Sequence, residues 1–403
     1  MPPNSFYKVD LSLRIAFLLT VFISALLLFA VQPMFAKIIL PKLGGGSAVW
    51  TACMLFFQTM LLAGYTYSYV ISKLPSIKLQ AKIHALVVAL ALLLLPLIYQ
   101  WQPSLTPAAT SPFITVFSLL FFSIGLPYFV LSATAPLIQH WVGQQAHVGN
   151  KSDQQQTYRL YSVSNIGAML ALFSYPFFVE VQFGLHQQTL IWSALYGLFS
   201  AVIGVCIVFV LKTQDQALKV NKSLKPDESK SWLKATLWFL LSAVGVVLLI
   251  ATTSKMTQNI PPIPFLWIMP LALYLLSFII TFHDEKYYVR IYWLTAFILI
   301  SLIALMLFFA GTAFGAMTQI SLYLIALFVG VMICHGELVK SKPDTQQLTW
   351  FYLVMSAGGC AGSLFASIIA TEIFTGHYEF IVAFGSVFVL VAIASLIEIK
   401  QVK

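Results

Sequence analysis

FAVQPMFAKIILPKLGGGSAVW, residues 29–50, is the stretch whose reading decides the fold. The run that feeds it, Ile15 to Ala30, holds no charge, as a helix crossing hydrocarbon requires. Gln32, Pro33, Lys37 and Lys42 follow, then Gly44, Gly45 and Gly46, and a new apolar run opens at Ala48. The spacing predicts a spanning helix over 14–36 that ends in a polar, basic segment. Pro33 removes a backbone donor and loosens the ladder there, and the glycines let the chain turn tightly. A second spanning helix then runs back the other way.

The whole chain repeats this arrangement. Of its 403 residues 60% are hydrophobic and only 9% charged, with a mean hydropathy of +0.90. Soluble domains carry roughly 25% charged residues, so that class is excluded. Outer-membrane barrels need alternating strands, and none is legible. The chain reads as an all-α integral membrane protein. Its net charge of +9 reports loop topology, because cytoplasmic loops collect Lys and Arg, and calls for no nucleic acid. Cys53, Cys206, Cys334 and Cys360 fall within apolar runs without C-x-x-C spacing and read as small buried hydrophobes. No small-residue cleavage pattern follows the first apolar run, so it reads as a retained helix.

Six helices are predicted at 14–36, 48–72, 79–100, 112–140, 158–180 and 187–212. Six more follow at 232–254, 262–282, 289–310, 317–338, 347–373 and 379–399. If both termini are cytoplasmic, nineteen of the 22 basic residues fall on the cytoplasmic side. Only Lys37, Lys42 and Lys255 violate the bias, and any other helix count would scramble it. The polar segment 213–231, TQDQALKVNKSLKPDESKS, has no aromatic residue and reads as a solvated linker. It divides the chain into bundles at 1–212 and 232–403.

The halves look duplicated. Ser164, Gly167, Leu172, Phe173 and Glu180 of the fifth helix match Ser356, Gly359, Leu364, Phe365 and Glu372 of the eleventh at one offset. Tyr128 and His140 of the fourth match Tyr323 and His335 of the tenth. Such parallel repeats about an axis along the membrane normal are a transporter signature and give two pseudo-symmetric six-helix bundles.

Several segments carry a more specific resemblance. They are QPMFAKIILPKLGGGSAVW (32–50), LPYFVLSATAPLIQHW (126–141), LYSVSNIGAMLALFSYP (160–176), IPFLWIMPLALYLLSFI (263–279) and CHGEL (334–338). Together they resemble the membrane part of the fused major-facilitator-like/spermidine-synthase-like proteins of bacteria. The resemblance implies a multi-pass protein of the bacterial cytoplasmic membrane. Relatives often continue into a soluble aminopropyltransferase- or methyltransferase-like domain, whereas this chain stops at Lys403 after its twelfth helix. No strand followed by a G-x-G-type loop appears, so neither an enzyme nor a cofactor is expected. The loop SKLPSIKLQAK (72–82) keeps the bases of the superfamily's Gly-x-x-x-Asp-Arg motif but lacks its Asp.

Nine residues stand out as possible site groups. Lys37 and Lys255 either snorkel to the headgroups or line the mouth of a central cavity. Glu180 and Glu372 sit at helix C-termini, where the macrodipole disfavours a carboxylate, so a nearby lysine would explain each. The expected pairs are Lys37 with Glu180 and Lys255 with Glu372. His140, His335 and Glu337 either cap loops or relay a proton; their spacing supports no metal site. Asn165 lies among small residues that otherwise only pack helices. Gln32, His140, Lys255 and His335 are expected on the walls and mouths of a cavity lined by the first, fourth, seventh and tenth helices. On this reading the protein is a secondary-transporter-like permease for a small polar or amphoteric solute. The competing reading is a non-transporting scaffold that docks a separate soluble synthase-like enzyme on the basic linker.

Overall fold

The computed structural model describes residues 11–43, 47–95, 112–145, 151–212, 232–258, 264–310, 313–343 and 347–402. The linker 213–231 and the Gly44–Gly46 turn lie outside the described residues. Twelve long helices carry the fold, with no strand among the described residues. In the first half they are α1 (Leu11–Leu43), α2 (Ser47–Ser72), α3 (Ile77–Leu94), α4 (Pro112–Gln145), α5 (Lys151–Ser174) and α6 (Leu185–Lys212). In the second half they are α7 (Trp232–Thr257), α8 (Pro264–His283), α9 (Arg290–Ala310), α10 (Ala316–Lys340), α11 (Leu348–Leu364) and α12 (Tyr378–Val402). Eleven are long and apolar enough to cross a membrane, and α8 adds the apolar stretch Ile268–His283.

The main departure from the sequence reading is α1, which does not end near position 36 but continues through Pro33 to Leu43. Proline forfeits one ladder bond, and neighbouring helices compensate for that inside a bilayer. Pro127 and Pro136 in α4, and Pro270 in α8, are accommodated likewise. Two other helices contain π turns at matching places. In α5 the turn Tyr175–Val179 precedes Glu180–Gln182, and in α11 Phe365–Ile369 precedes Ala370–Ile373. In α5 the missing N–H of Pro176 gives a local cause; nothing in the α11 segment explains its turn.

The packing repeats with a shift of six helices. α1 packs on α4, α5 and α6, and α2 on α4; α7 packs on α10, α11 and α12, and α8 on α10. The halves meet where α2 crosses α11 and α5 crosses α8. Close approach within each half uses glycine. A Cβ on Gly167 would stand 2.6 Å from the Phe22 carbonyl oxygen, and Gly358 and Gly362 leave even less room against the carbonyls of Phe239 and Ala243. Gly358, one place earlier than the sequence offset suggests, is therefore the packing equivalent of Gly167. Large apolar side chains such as Leu93, Phe122, Val205, Leu302 and Val389 point outward, as lipid-facing residues do.

Candidate functional site

Between the halves lies a cavity of about 170 Å³. α1 contributes Ser24 and Gln32 to its wall, α2 Gln58 and Tyr65, and α4 Tyr128, Ser132 and Gln139. α5 adds Ser164 and Asn165, α7 Ser242, α8 Tyr274 and Phe278, and α11 Tyr352 and Ser356. The cavity reaches from mid-bundle, at Gln32, toward the end where α11 begins, at Tyr352. At the opposite end α11 closes on α2, where the Ser367 hydroxyl donates to the Thr51 carbonyl at 3.5 Å.

Inside the wall Gln32 Nε2 donates to the Tyr128 hydroxyl at 3.2 Å, linking α1 to α4. Gly64 gives α4 room, since a Cβ there would collide with the Ser132 hydroxyl. Ser132 itself donates to the Phe129 carbonyl at 2.8 Å, so its own helix satisfies it. Four other wall residues each hold a buried polar atom without a partner: Gln139 Oε1, Asn165 Nδ2, Ser242 Oγ and Ser356 Oγ. Among the described residues no acid, lysine, arginine or histidine lines the wall.

The nine residues singled out in the sequence therefore separate. Gln32 and Asn165 stand in the wall. Lys37 and Glu180 meet at the closed end, Nζ to Oε1 2.9 Å, with both side chains partly exposed. Lys255 does not pair with Glu372. Its ammonium reaches Gln258 Oε1 at 3.3 Å and lies 4.5 Å above the centre of the Phe308 ring, while Glu372 is exposed. The Phe308 ring and the Gln258 amide on the next turn occupy the lysine, so the repeat does not extend to this pair.

His335 is fully buried behind the wall rather than in it. It stacks on Phe278 at 3.5 Å and meets Tyr274 edge-on at 4.7 Å, so those two rings separate it from the cavity. Its Nδ1 lies 2.6 Å from the Ser277 hydroxyl, and its Nε2 has no partner. His140, near the end of α4, is also outside the wall. No α10 residue lines the cavity among the described residues, which corrects the expected set of lining helices. α8 and α11 supply that side instead.

Glu337 belongs to a separate network at the end of α10. It accepts from Arg290 Nε and from the Tyr288 hydroxyl, each at 2.6 Å, and also from Arg290 Nη2. Arg290 in turn reaches Glu398 of α12 at 2.8 Å. Gly336 lets the Tyr288 ring approach, since any Cβ there would overlap it. Its counterpart in the first half is neutral: Trp141 Nε1 donates to Gln80 Oε1 at 3.0 Å, and His84 lies 3.4 Å from the Tyr67 hydroxyl. The four cysteines are free, three of them buried, and no metal-binding cluster occurs among the described residues.

Sequence reasoning missed Gln139, Gln58, Ser242, Ser356 and the wall tyrosines. Gln58 and Gln139 did offer a signal, as long polar side chains interrupting otherwise apolar spanning runs. Tyr65, Tyr274 and Tyr352 offered none, because aromatics are common throughout such bundles.

No protein-family model matches the chain, and no curated protein does. Solved structures match its fold over nearly its whole length. One is the major facilitator superfamily proton:xylose symporter XylE bound to 6-bromo-6-deoxy-D-glucose, 10% identical over 97% of this chain and 96% of that one, with a TM-score of 0.60. A partially occluded inward-open form of the E. coli xylose transporter XylE is 11% identical over 97% and 98%, with a TM-score of 0.59. A POT family transporter in complex with 5-aminolevulinic acid is 14% identical over 99% and 98%, with a TM-score of 0.55. The chain thus has a major-facilitator-like fold and is a multi-pass membrane protein.

Proposed function

We propose that the protein is a secondary-transporter-like permease that moves a small solute by alternating access, with the cavity between its halves as the binding site. One observation carries this reading: a cavity with polar groups at mid-bundle, where hydrocarbon surrounds the helices. Polar groups at that depth are costly unless water or a ligand satisfies them. A docking scaffold needs no such cavity, and a dry, closed interface would serve it better. The fold of the solved transporters fits the same mechanism, in which two bundles rock around a fixed site.

The finer reading places residues 1–212 and 232–403 as the two rocking domains, joined by a cytoplasmic linker at 213–231. Both termini are cytoplasmic and the membrane is the bacterial inner one, as the charge bias and the family resemblance imply. With that orientation the cavity extends toward the cytoplasm, and the Lys37–Glu180 pair closes the outer face. The chain then corresponds to the membrane part of the fused major-facilitator-like/spermidine-synthase-like family, with a synthase-like enzyme as partner at the linker.

Solute uptake and efflux in vesicles holding the purified full chain test the reading. Saturable flux that is lost in Gln32→Leu supports it. A panel of neutral, zwitterionic and charged solutes that produces no saturable flux in either direction defeats it.

A further inference from the structure

The wall of the cavity combines two properties that together define what it takes. Among the described residues it has no charged side chain, and four of its residues keep a buried polar atom unpaired: Gln139 Oε1, Asn165 Nδ2, Ser242 Oγ and Ser356 Oγ. We infer that the cavity binds an uncharged solute bearing several hydrogen-bonding groups, a polyol or nucleoside-like molecule, and that these four side chains read it. The inference rests on the permease reading for the site but not for the movement.

The charge argument excludes the alternatives. An ion in this site would leave water without a counter-charge among the described wall residues, a desolvation that weak dipoles do not offset. The described acids with nearby helix positions, Glu180, Glu337, Glu372, Glu379 and Glu398, all stand close to helix ends, and none reaches the wall. An organic cation could still rest on the aromatic faces of Tyr274, Phe278 and Tyr352. Among the described residues, however, the wall offers such a cation no carboxylate to neutralise it.

The polar argument gives recognition. Buried polar groups are normally satisfied, and an orphan calls for a specific explanation. Here four residues carrying such an orphan, from α4, α5, α7 and α11, line one space. Two are amide ends, one accepting and one donating, and two are hydroxyls that rotate to do either. A solute with both donors and acceptors would satisfy them once these side chains turn toward the cavity, drawing on both halves of the protein. Two carboxylate-free amides and two hydroxyls match hydroxyl-rich chemistry; the tyrosine and phenylalanine faces match a ring or a carbon backbone.

The same orphans predict an unusual trade. Removing a buried hydroxyl that has no partner relieves a desolvation penalty instead of breaking a bond. Ser242→Ala and Ser356→Ala should therefore leave the empty protein as stable as before, or more so, while weakening solute binding. A packing role for these serines predicts neither effect.

The test uses the full chain with its four cysteines replaced by alanine and a single reporter, Met355→Cys, in the cavity wall. N-ethylmaleimide labelling is timed in the presence of xylitol, uridine, choline, threonine or succinate, and flux of the same five is followed in proteoliposomes. Xylitol or uridine should slow labelling at least threefold, and Ser242→Ala or Asn165→Leu should raise the half-protective concentration about tenfold. Ser242→Ala keeps the test valid if Asn165→Leu fails to fold. Lack of protection by both uncharged probes overturns the inference, as does protection by a charged probe in their place. Protection unchanged in Ser242→Ala and Ser356→Ala overturns the four-residue assignment. Protection without flux defeats the permease reading and leaves the solute class standing.

Discussion

Gln32 Nε2 donates to the Tyr128 hydroxyl at 3.2 Å, and both side chains belong to the cavity wall. The bond ties the middle of α1 to the middle of α4, two helices that also pack on each other directly. Gln32→Leu deletes the donor and makes that side of the wall apolar. The lost bond is worth about 1 kcal/mol, too little to unfold a bundle of this size. Solute flux should fall at least tenfold while the protein still elutes as a single species from gel filtration. Tyr128→Phe should produce a similar loss, and the double substitution should be no worse than the more damaging single one, because both remove the same bond.

Lys37 and Glu180 form an ion pair at the closed end of the bundle, whereas Lys255 and Glu372 do not. Charge reversal should reveal the difference. Lys37→Glu and Glu180→Lys should each impair flux, and the swapped double should recover most of it. The equivalent swap of Lys255 and Glu372 should show no recovery. Phe308→Leu should instead mimic the loss of Lys255, since it removes the ring under the ammonium, a contact worth about 0.5–1 kcal/mol. Equal recovery by both swaps would mean that the pairing geometry described here is not the one that matters.

The Arg290–Glu337 pair differs from these because the Glu337 side chain is only 1% exposed. Breaking a buried pair strands the remaining charge and costs about 3–5 kcal/mol. Arg290→Ala and Glu337→Ala should each lower the melting temperature of the purified protein sharply. Arg290→Lys should not rescue it, because lysine lacks the planar fork that holds Glu337 and Glu398 together. Gly336→Ala should do comparable damage without touching a charge, by pushing the Tyr288 ring off its place beside Glu337. Thermal melts followed by tryptophan fluorescence would check all four.

The twelve helices were legible because a bilayer imposes one rule on every spanning segment: length and absence of charge. The Lys37–Glu180 pair was legible for a related reason, since a charge is conspicuous in so apolar a chain and must find either headgroups or a partner. The duplication misled at Lys255, where the sequence supplied an equivalent acid but the structure supplied a nearer amide and a ring. Repeats preserve helix packing, as Gly167 and Gly358 show, more faithfully than they preserve side-chain pairs. Glu337, which the sequence reads as a loop cap or a proton relay, holds Tyr288 and Arg290 beside the α8–α9 loop, and periodicity within α10 carries no trace of those partners. The cavity wall was hardest, because serine and tyrosine in a membrane helix serve packing and recognition equally well. Only the hydrogen-bond state of each side chain, known once the bundle is assembled, separates Ser132, which its own helix satisfies, from Ser242, which nothing does.

Topology gives the last prediction. With both termini inside, as proposed, nineteen of the 22 basic residues of the sequence fall on the cytoplasmic side. Four exposed positions sample the two faces. Gln187 stands in the first turn of α6 and Gly376 in the turn after α11, next to the end where Lys37 meets Glu180; Lys73 and Lys286 stand in the turns after α2 and α8, at the other end. Single cysteines at Gln187 and Gly376, in the cysteine-free protein, should react in intact cells with a thiol reagent that does not cross membranes. Cysteines at Lys73 and Lys286 should react only after the membrane is breached. Gln80 would serve poorly as a probe, because it is buried against Trp141. The reverse labelling pattern would put the cavity's open side outside the cell, turning the structure into an outward-facing state and the Lys37–Glu180 pair into the inner closure.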